Sequence, residues 1–432
     1  MPFPMRIDVP FKRLKYLNFL RSSFSKNVLT LMTGSIIAQA IQILIYPVLT
    51  RIYTPENFGA FAIYMSIAST ISVIATARYE LAIMLPEDDR DSINLVSLSI
   101  HISLLLSCMV FCIIYIYRNR ILDLFNVPEL SLWLYFISIT VLLNGIYQTL
   151  SYLFNRDREY KLLSSCRVTQ SLGTLFTNLS LGFAGFGTAG LVIGSITGQV
   201  AVSGLMGWKT FQNKKYKMIY ISYKSMKDNL VKYIDFPKKS TPGIMLNVLS
   251  SQLVIFLIGI LYNTRVPGFY SLTLTILNAP IMLIGKSVSQ VFYQKATNAK
   301  KDGELQQLVK NITKNLFLII LLPMTVLVIF GDHIFKFVFG TDWVEAGKIT
   351  QIMAPFFLIR FVFSSQSTLM IVKKRLDFEF KFNLFLLLTQ IGAVLSGYYF
   401  FSSYYYSFIF MSISGFVLYL ILGIWIIRRS RE

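Results

Sequence analysis

Apolar residues run in blocks of near-spanning length along most of the chain, broken by short polar stretches. A bilayer core takes about 20 such residues to cross as a helix. The blocks predict spans at 27–49, 58–80, 93–117, 131–154, 162–184 and 188–208, then at 242–262, 268–292, 312–331, 347–371, 382–401 and 404–427. Between the sixth and seventh the rhythm breaks over 209–241, where Lys209, Lys214, Lys215, Lys217, Lys224, Lys227, Lys232, Lys238 and Lys239 accumulate. The expectation is an all-α integral membrane protein of about twelve transmembrane helices. A six-helix bundle over 27–208 and another over 242–427 are joined by the basic linker, with a basic segment at 1–26 and a tail at 428–432.

The two sets of six are related. One apolar run ends at the polar corner Thr50-Arg51-Ile52-Tyr53-Thr54-Pro55-Glu56-Asn57 and a second begins at once, which predicts a tight helical hairpin. A shift of 209 positions lays Tyr53 on Tyr262 and Gly59 on Gly268, with apolar runs before and after each corner, and brings Lys286 within one place of Arg78. Matching corners, hydropathy and late cations point to duplicated halves, a common transporter plan.

Basic residues alternate with the spans. Placing the odd-numbered junctions on one side leaves there Arg51, Arg118, Arg120, Arg265, Lys336 and Lys348. The other side takes the basic amino-terminal segment, Arg156, Arg158, Lys161, the linker lysines, Lys295, Lys300, Lys301, Lys310, Lys373, Lys374, Arg375, Lys381, Arg428, Arg429 and Arg431. By the positive-inside rule that side is cytoplasmic, with both termini on it. The first apolar run has no cleavage pattern of small residues and reads as an uncleaved anchor.

Composition agrees: 54% of residues are hydrophobic and 14% charged, with a mean hydropathy of +0.59. A formal charge of +20 would suit nucleic acid, but the apolar runs leave no soluble domain to present a binding face, so it reads as topology. Cys108, Cys112 and Cys166 all lie in apolar runs and form neither a disulfide framework nor a metal cluster. Neither His101 nor His333 has a nucleophile or ligand set nearby in sequence, and no phosphate-cradling glycine loop is present. No catalytic residue, metal site or cofactor is expected, and a coupling ion is left open.

Charge inside a membrane carries a functional expectation, because a central cation costs about 2.5–3.5 kcal/mol on insertion scales. Arg360 falls near the midpoint of the predicted tenth span, and lines a polar cavity or pairs with a neighbouring helix. Arg78 and Lys286, near the ends of their spans, either face the same cavity or reach the headgroups. Glu80, two residues from Arg78, is placed to tune that cation. Gln39, Gln42, Gln148 and Gln252 line the cavity or join helices.

The stretches Leu49 to Gly59 and Arg78-Tyr79-Glu80-Leu81-Ala82-Ile83-Met84-Leu85-Pro86 resemble the opening of bacterial O-antigen and capsule flippases. Phe339-Gly340-Thr341-Asp342-Trp343-Val344-Glu345-Ala346-Gly347, followed by Met353-Ala354-Pro355, is similar to that family's entry into its tenth helix. These Wzx-type translocases belong to the multidrug, oligosaccharidyl-lipid and polysaccharide exporter superfamily. The resemblance implies two pseudo-symmetric six-helix bundles around a central cavity, and an undecaprenyl-diphosphate-linked oligosaccharide carried across the bacterial inner membrane. Membrane lipids, a polymerase and a chain-length regulator are the implied partners. Arginine suits such a cargo, because its forked donors match phosphate oxygens.

Two rivals follow from the same residues. A multidrug cation exporter of the superfamily would want a buried carboxylate where this chain places cations. A membrane-embedded polysaccharide polymerase or glycosyltransferase would want a sizeable outer loop with catalytic acids or bases. The outer junctions here are short, holding Asp123 and Glu129 in one and Asp332, Asp342 and Glu345 in another.

Overall fold

The computed structural model describes residues 23–213, 215, 216, 218–302, 304–373 and 375–431. Arg6, Lys12, Arg13, Lys15 and Arg21 of the amino-terminal segment lie outside the described residues, as do Lys214, Lys217 and Lys374 and the side chains of Lys26, Lys286, Lys300 and Lys301.

Every long element is a helix, and no strand occurs among the described residues. The first half holds α1 (Ser23–Ile52), α2 (Pro55–Ser72), α3 (Asp89–Phe125), α4 (Phe136–Arg156), α5 (Tyr160–Phe183) and α6 (Thr188–Gln212). The second holds α7 (Thr241–Leu261), α8 (Arg265–Pro280), α9 (Leu305–Phe339), α10 (Val344–Ser364), α11 (Leu376–Phe401) and α12 (Tyr404–Arg429). Among the described residues, ten helical stretches are long and apolar enough to cross a bilayer. The remaining places are filled by α2, which is short, and α5, which carries many hydroxyl and amide side chains.

Helix contacts repeat between the halves. In the first, α1 packs on α5, α2 and α3 on α4, α4 on α6, and α5 on α6. Six helices later, α7 packs on α11, α8 and α9 on α10, α10 on α12, and α11 on α12. The fold is two pseudo-symmetric six-helix bundles.

Among the described residues, the halves share a core at one end. The apolar cluster that fills the second bundle also takes in Leu49, Tyr53, Phe58 and Leu191 of the first, all beside the 50–57 corner. At the opposite end, the cluster around Tyr79, Leu95, Leu153 and Met206 is drawn from the first bundle and the linker. We call these ends the corner side and the linker side.

Three spans depart from the predicted helices. The second, expected as one helix over 58–80, ends at Ser72 and continues through turns to a 3-10 segment at Tyr79–Met84. Hydropathy cannot see the cause: Ser66 and Thr70 hydroxyls bond the carbonyls four residues back, each at 2.7 Å, loosening the last turns. The Gln148 amide then takes the Ser72 carbonyl at 3.3 Å, and Asn144 the Ser72 hydroxyl at 3.1 Å. The eighth span breaks at the equivalent place, where Pro280 closes α8 and a wide π turn, Ile281–Gly285, leads into the helix Lys286–Asp302. The tenth span ends as regular helix at Ser364, so Arg360 sits just before the last turn of α10 rather than at a midpoint.

The linker is not a free tether. Its helix Tyr223–Lys232 lies against the start of α3, with Asn229 buried. The Asn94 side chain accepts from the Ser222 amide at 2.8 Å and donates to the Tyr220 carbonyl at 3.0 Å, and the Tyr79 hydroxyl donates to the Leu230 carbonyl at 2.9 Å. Lys215 reaches Asp157 at 2.7 Å and Asp89 at 3.2 Å, and Arg156 pairs with Asp89 at 3.1 Å. Partial burial works against the Lys215 charge, but Asp157, Tyr216 and Asp89 outweigh it and raise its pKa. Burial, reinforced by Asp157, pushes the Tyr216 hydroxyl up to about 12.

Candidate functional site

The corner is built from local chemistry. Thr54 caps α2: its hydroxyl accepts from the Asn57 amide at 3.4 Å while the Asn57 side chain accepts from the Thr54 amide at 3.3 Å, and Pro55 occupies the first turn. Each corner tyrosine locks into the last two helices of its own half. Tyr53 donates to the Asn178 carbonyl on α5 at 2.6 Å and lies against Gly190 of α6. Tyr262 shares a 2.8 Å hydrogen bond with Ser407 on α12 and packs edge-on to Tyr398 of α11.

These corners then meet. A Cβ on Gly59 would lie 1.7 Å from the Thr264 carbonyl oxygen, and one on Gly268 would lie 2.0 Å from the Pro55 carbonyl oxygen. The contact is reciprocal, because Gly59 and Gly268, like Pro55 and Thr264, are 209 positions apart. Glu56 and Arg265 obey the same shift and form an ion pair across the pseudo-twofold axis. Only glycine lets two helix starts approach so closely. Trp343 completes the seal: fully buried, it donates to the Thr50 carbonyl at 2.8 Å and packs edge-on against Phe58 at 5.1 Å and Phe269 at 6.2 Å.

On the linker side of this seal, a cavity of about 340 Å³ opens between α1 and α8. Its polar wall is Gln39, Gln42 and Tyr46 from α1 with Thr275 and Asn278 from α8. Ile43, Leu274, Ala279 and Met282 supply the apolar part. Sequence reasoning marked Gln39 and Gln42 as lining the cavity or joining helices. Thr275 and Tyr46 escaped it, since a hydroxyl in an apolar run gives no signal of the face it occupies.

The other expected site residues lie elsewhere. Arg360 is half-buried, its guanidinium 5.1 Å from the Phe357 ring and 5.9 Å from that of Phe356. It has no carboxylate or hydrogen-bond partner among the described residues. Arg78 pairs at 3.1 Å with Glu80, which is wholly buried and also accepts from the Thr76 hydroxyl. This pair fills the first bundle behind the α2 break. Gln148 bonds the end of α2, and Gln252 on α7 is away from the cavity wall. The Lys286 backbone opens the helix after the π turn, and its side chain lies outside the described residues. Among the described residues no cluster of His, Cys, Asp or Glu has the makings of a metal site.

Comparison with known proteins places this architecture. Residues 48–348 match the family described as polysaccharide biosynthesis protein. The chain is 21% identical over 285 residues to the teichuronic acid biosynthesis protein TuaB of Bacillus subtilis (strain 168), covering 65% of this chain and 57% of that protein. It is 22% identical over 295 residues to the lipopolysaccharide biosynthesis protein WzxC of Escherichia coli (strain K12), covering 67% and 58%. The matches thus span under three fifths of these relatives' length. Among solved structures, the lipid II flippase MurJ in an inward closed conformation aligns with a TM-score of 0.71 at 14% identity, covering 94% of this chain and 90% of that one. A multidrug resistance MATE transporter of the MOP superfamily, inward-facing, aligns at 0.65 and 13%, covering 92% and 94%. The chain belongs to the polysaccharide biosynthesis protein family and is built on the two-bundle membrane fold that MurJ and the MATE transporters share.

Proposed function

We propose that this protein moves an undecaprenyl-diphosphate-linked oligosaccharide from the cytoplasmic to the periplasmic leaflet of the bacterial inner membrane, by alternating access and without covalent chemistry. The observation that carries the reading is the asymmetry between the ends: the bundles are sealed together at the corner side, and a polar cavity lies between them on the linker side. With the lysine-rich linker cytoplasmic, that cavity faces the leaflet on which the cargo is made. The family and the relatives named for surface polysaccharides support the cargo class, and the likeness to the lipid II flippase MurJ supports flipping as the activity.

Arg360 fits the anionic head. It lies about 24 Å along α10 from Val344, toward the cytoplasmic headgroups, and is held over two rings rather than neutralised by a carboxylate. The prenyl tail stays in the bilayer while the head crosses. An organic cation, by contrast, finds no carboxylate among the described residues of the cavity wall. The polymerase and chain-length regulator of the same assembly line are the partners this role implies, for O-antigen or capsule.

The test is a deletion strain in which lipid-linked oligosaccharide is located by leaflet. Accumulation on the cytoplasmic leaflet supports transport, and normal appearance outside contradicts it. In that strain complemented with single-cysteine variants, cysteines at Asn57, Asn126 and Thr341 should react with an impermeant thiol reagent from the periplasm and one at Lys215 should not. Labelling of position 215 from outside would overturn the orientation.

A further inference from the structure

Among the described residues the cavity wall carries no charge: its polar groups are two glutamines, an asparagine, a threonine and a tyrosine. Their hydrogen-bond use is uneven. Asn278 spends an amide donor on the Leu274 carbonyl at 2.9 Å, and Thr275 donates to the Ser271 carbonyl at 2.9 Å. The Asn278 carbonyl oxygen is left to the cavity. Gln39 goes further, since its amide oxygen is buried with no hydrogen-bond partner. A buried polar atom left unmatched costs about 1–3 kcal/mol, so this wall is incomplete without a ligand that donates hydrogen bonds.

We propose that the cavity seats an uncharged sugar of the cargo, bearing hydroxyl or acetamido groups, and excludes both the diphosphate and acidic sugars. The inference rests on the transport reading above and names the part of the cargo this site takes. Hydroxyls and acetamido N–H groups donate to Gln39 and Asn278 and accept from the Gln42 amide. The C–H faces of the ring pack on Leu274, Met282 and Tyr46. A volume of about 340 Å³ lies at the low end of small-ligand sites. Among the described wall residues no cation stands opposite a carboxylate or phosphate, and burying an unpaired anion is the costly case. Arg360 is not part of this wall, so the anionic head and the sugar are recognised at separate places.

The experiment is equilibrium binding to the purified full chain in nanodiscs with three probes. These are undecaprenyl diphosphate alone, the same lipid carrying an N-acetylglucosamine disaccharide, and the same lipid carrying a disaccharide with a terminal glucuronic acid. The neutral disaccharide should tighten binding over the bare lipid on the order of tenfold, the yield of one or two net hydrogen bonds. The acidic one should not. Gln39→Ala and Asn278→Ala should erase the increment and leave the bare lipid's Kd unchanged. Gln39→Arg, which supplies a counter-ion, should transfer the increment to the acidic probe, so that a gain of binding reports on the site even if the alanine variants fold poorly. Equal increments for both disaccharides, or equal weakening of the bare lipid by Gln39→Ala, would overturn the proposal. If none of the three lipids binds, the transport reading itself fails and takes this inference with it.

Discussion

Substituting Gly59 by alanine should open the corner seal. The new Cβ would lie 1.7 Å from the Thr264 carbonyl oxygen, 2.9 Å from its carbon and 3.2 Å from the Gly268 amide nitrogen. Ordinary contact begins near 3.4 Å, so the two helix starts must part by roughly 1.5 Å. The obstacle is backbone and has no rotamer to escape into. Overpacking of this kind costs about 1–3 kcal/mol, and the cost falls only on the state in which the corners touch. The population of states open at the corner side should therefore rise about 5- to 150-fold. The assay is the labelling rate of a cysteine at Thr275, on the cavity wall, by an impermeant maleimide added to whole cells lacking Cys108, Cys112 and Cys166. Gly268→Ala, whose Cβ would meet the Pro55 carbonyl, should act in the same direction. Gly204→Ala is the control, because a Cβ there meets nothing within 4 Å. Labelling of Gly59→Ala at the rate of the control would refute the reasoning.

Other variants separate transport from stability. Flipping in proteoliposomes, per folded molecule, should fall in the order Arg, Lys, Ala, Glu at position 360, with roughly a tenfold or greater loss for Arg360→Ala; near-normal activity of that variant would remove the residue from the site. Glu80→Ala leaves the Arg78 guanidinium without its carboxylate in the first bundle and should cost about 3–5 kcal/mol, read as a lower melting temperature. Replacing the pair together, Arg78→Met with Glu80→Leu, should recover most of that loss. Because the Lys215 pKa is raised above its ordinary 10.5, its docking contribution is complete below that pH and is lost only as pH climbs past the raised value. Hydrogen-exchange protection of 218–232, corrected for intrinsic rate, should then be constant from about pH 6 to 9 and fall in Lys215→Ala.

Much of the fold was legible because hydropathy and turn chemistry are local. Apolar runs located the helices, and Tyr53 with Tyr262 and Gly59 with Gly268 gave away the duplication before any contact was known. The reciprocal meeting of those glycines was not legible, since a repeat says which positions are equivalent and not that they touch. The α2 break was hidden because serine and threonine hydroxyls weaken a helix without lowering its apolar average much. Arg360 was misplaced along its helix for a related reason: Ser365, Gln366, Ser367 and Thr368 carry no charge and an apolar run resumes at Leu369, although the regular helix has ended at Ser364. Trp343 stood in a quoted motif, but its bond to Thr50 crosses 293 positions and leaves no trace in sequence. Arg78 and Glu80 lay close enough in sequence for their pairing to be suspected, whereas their depth behind α2 required the packed bundle.

Glu56 and Arg265 already touch across the seal, so cysteines at these two positions, bridged by a short cleavable bismaleimide, would clamp the corner side shut. The decisive measurement is the flipping rate of a fluorescent undecaprenyl-diphosphate-linked oligosaccharide in proteoliposomes holding this variant, before bridging, after bridging and after cleavage of the bridge. Alternating access through the cavity between α1 and α8 predicts flipping in the free protein, none in the clamped protein and full recovery on cleavage. Flipping that continues at an undiminished rate with the corners clamped would contradict it.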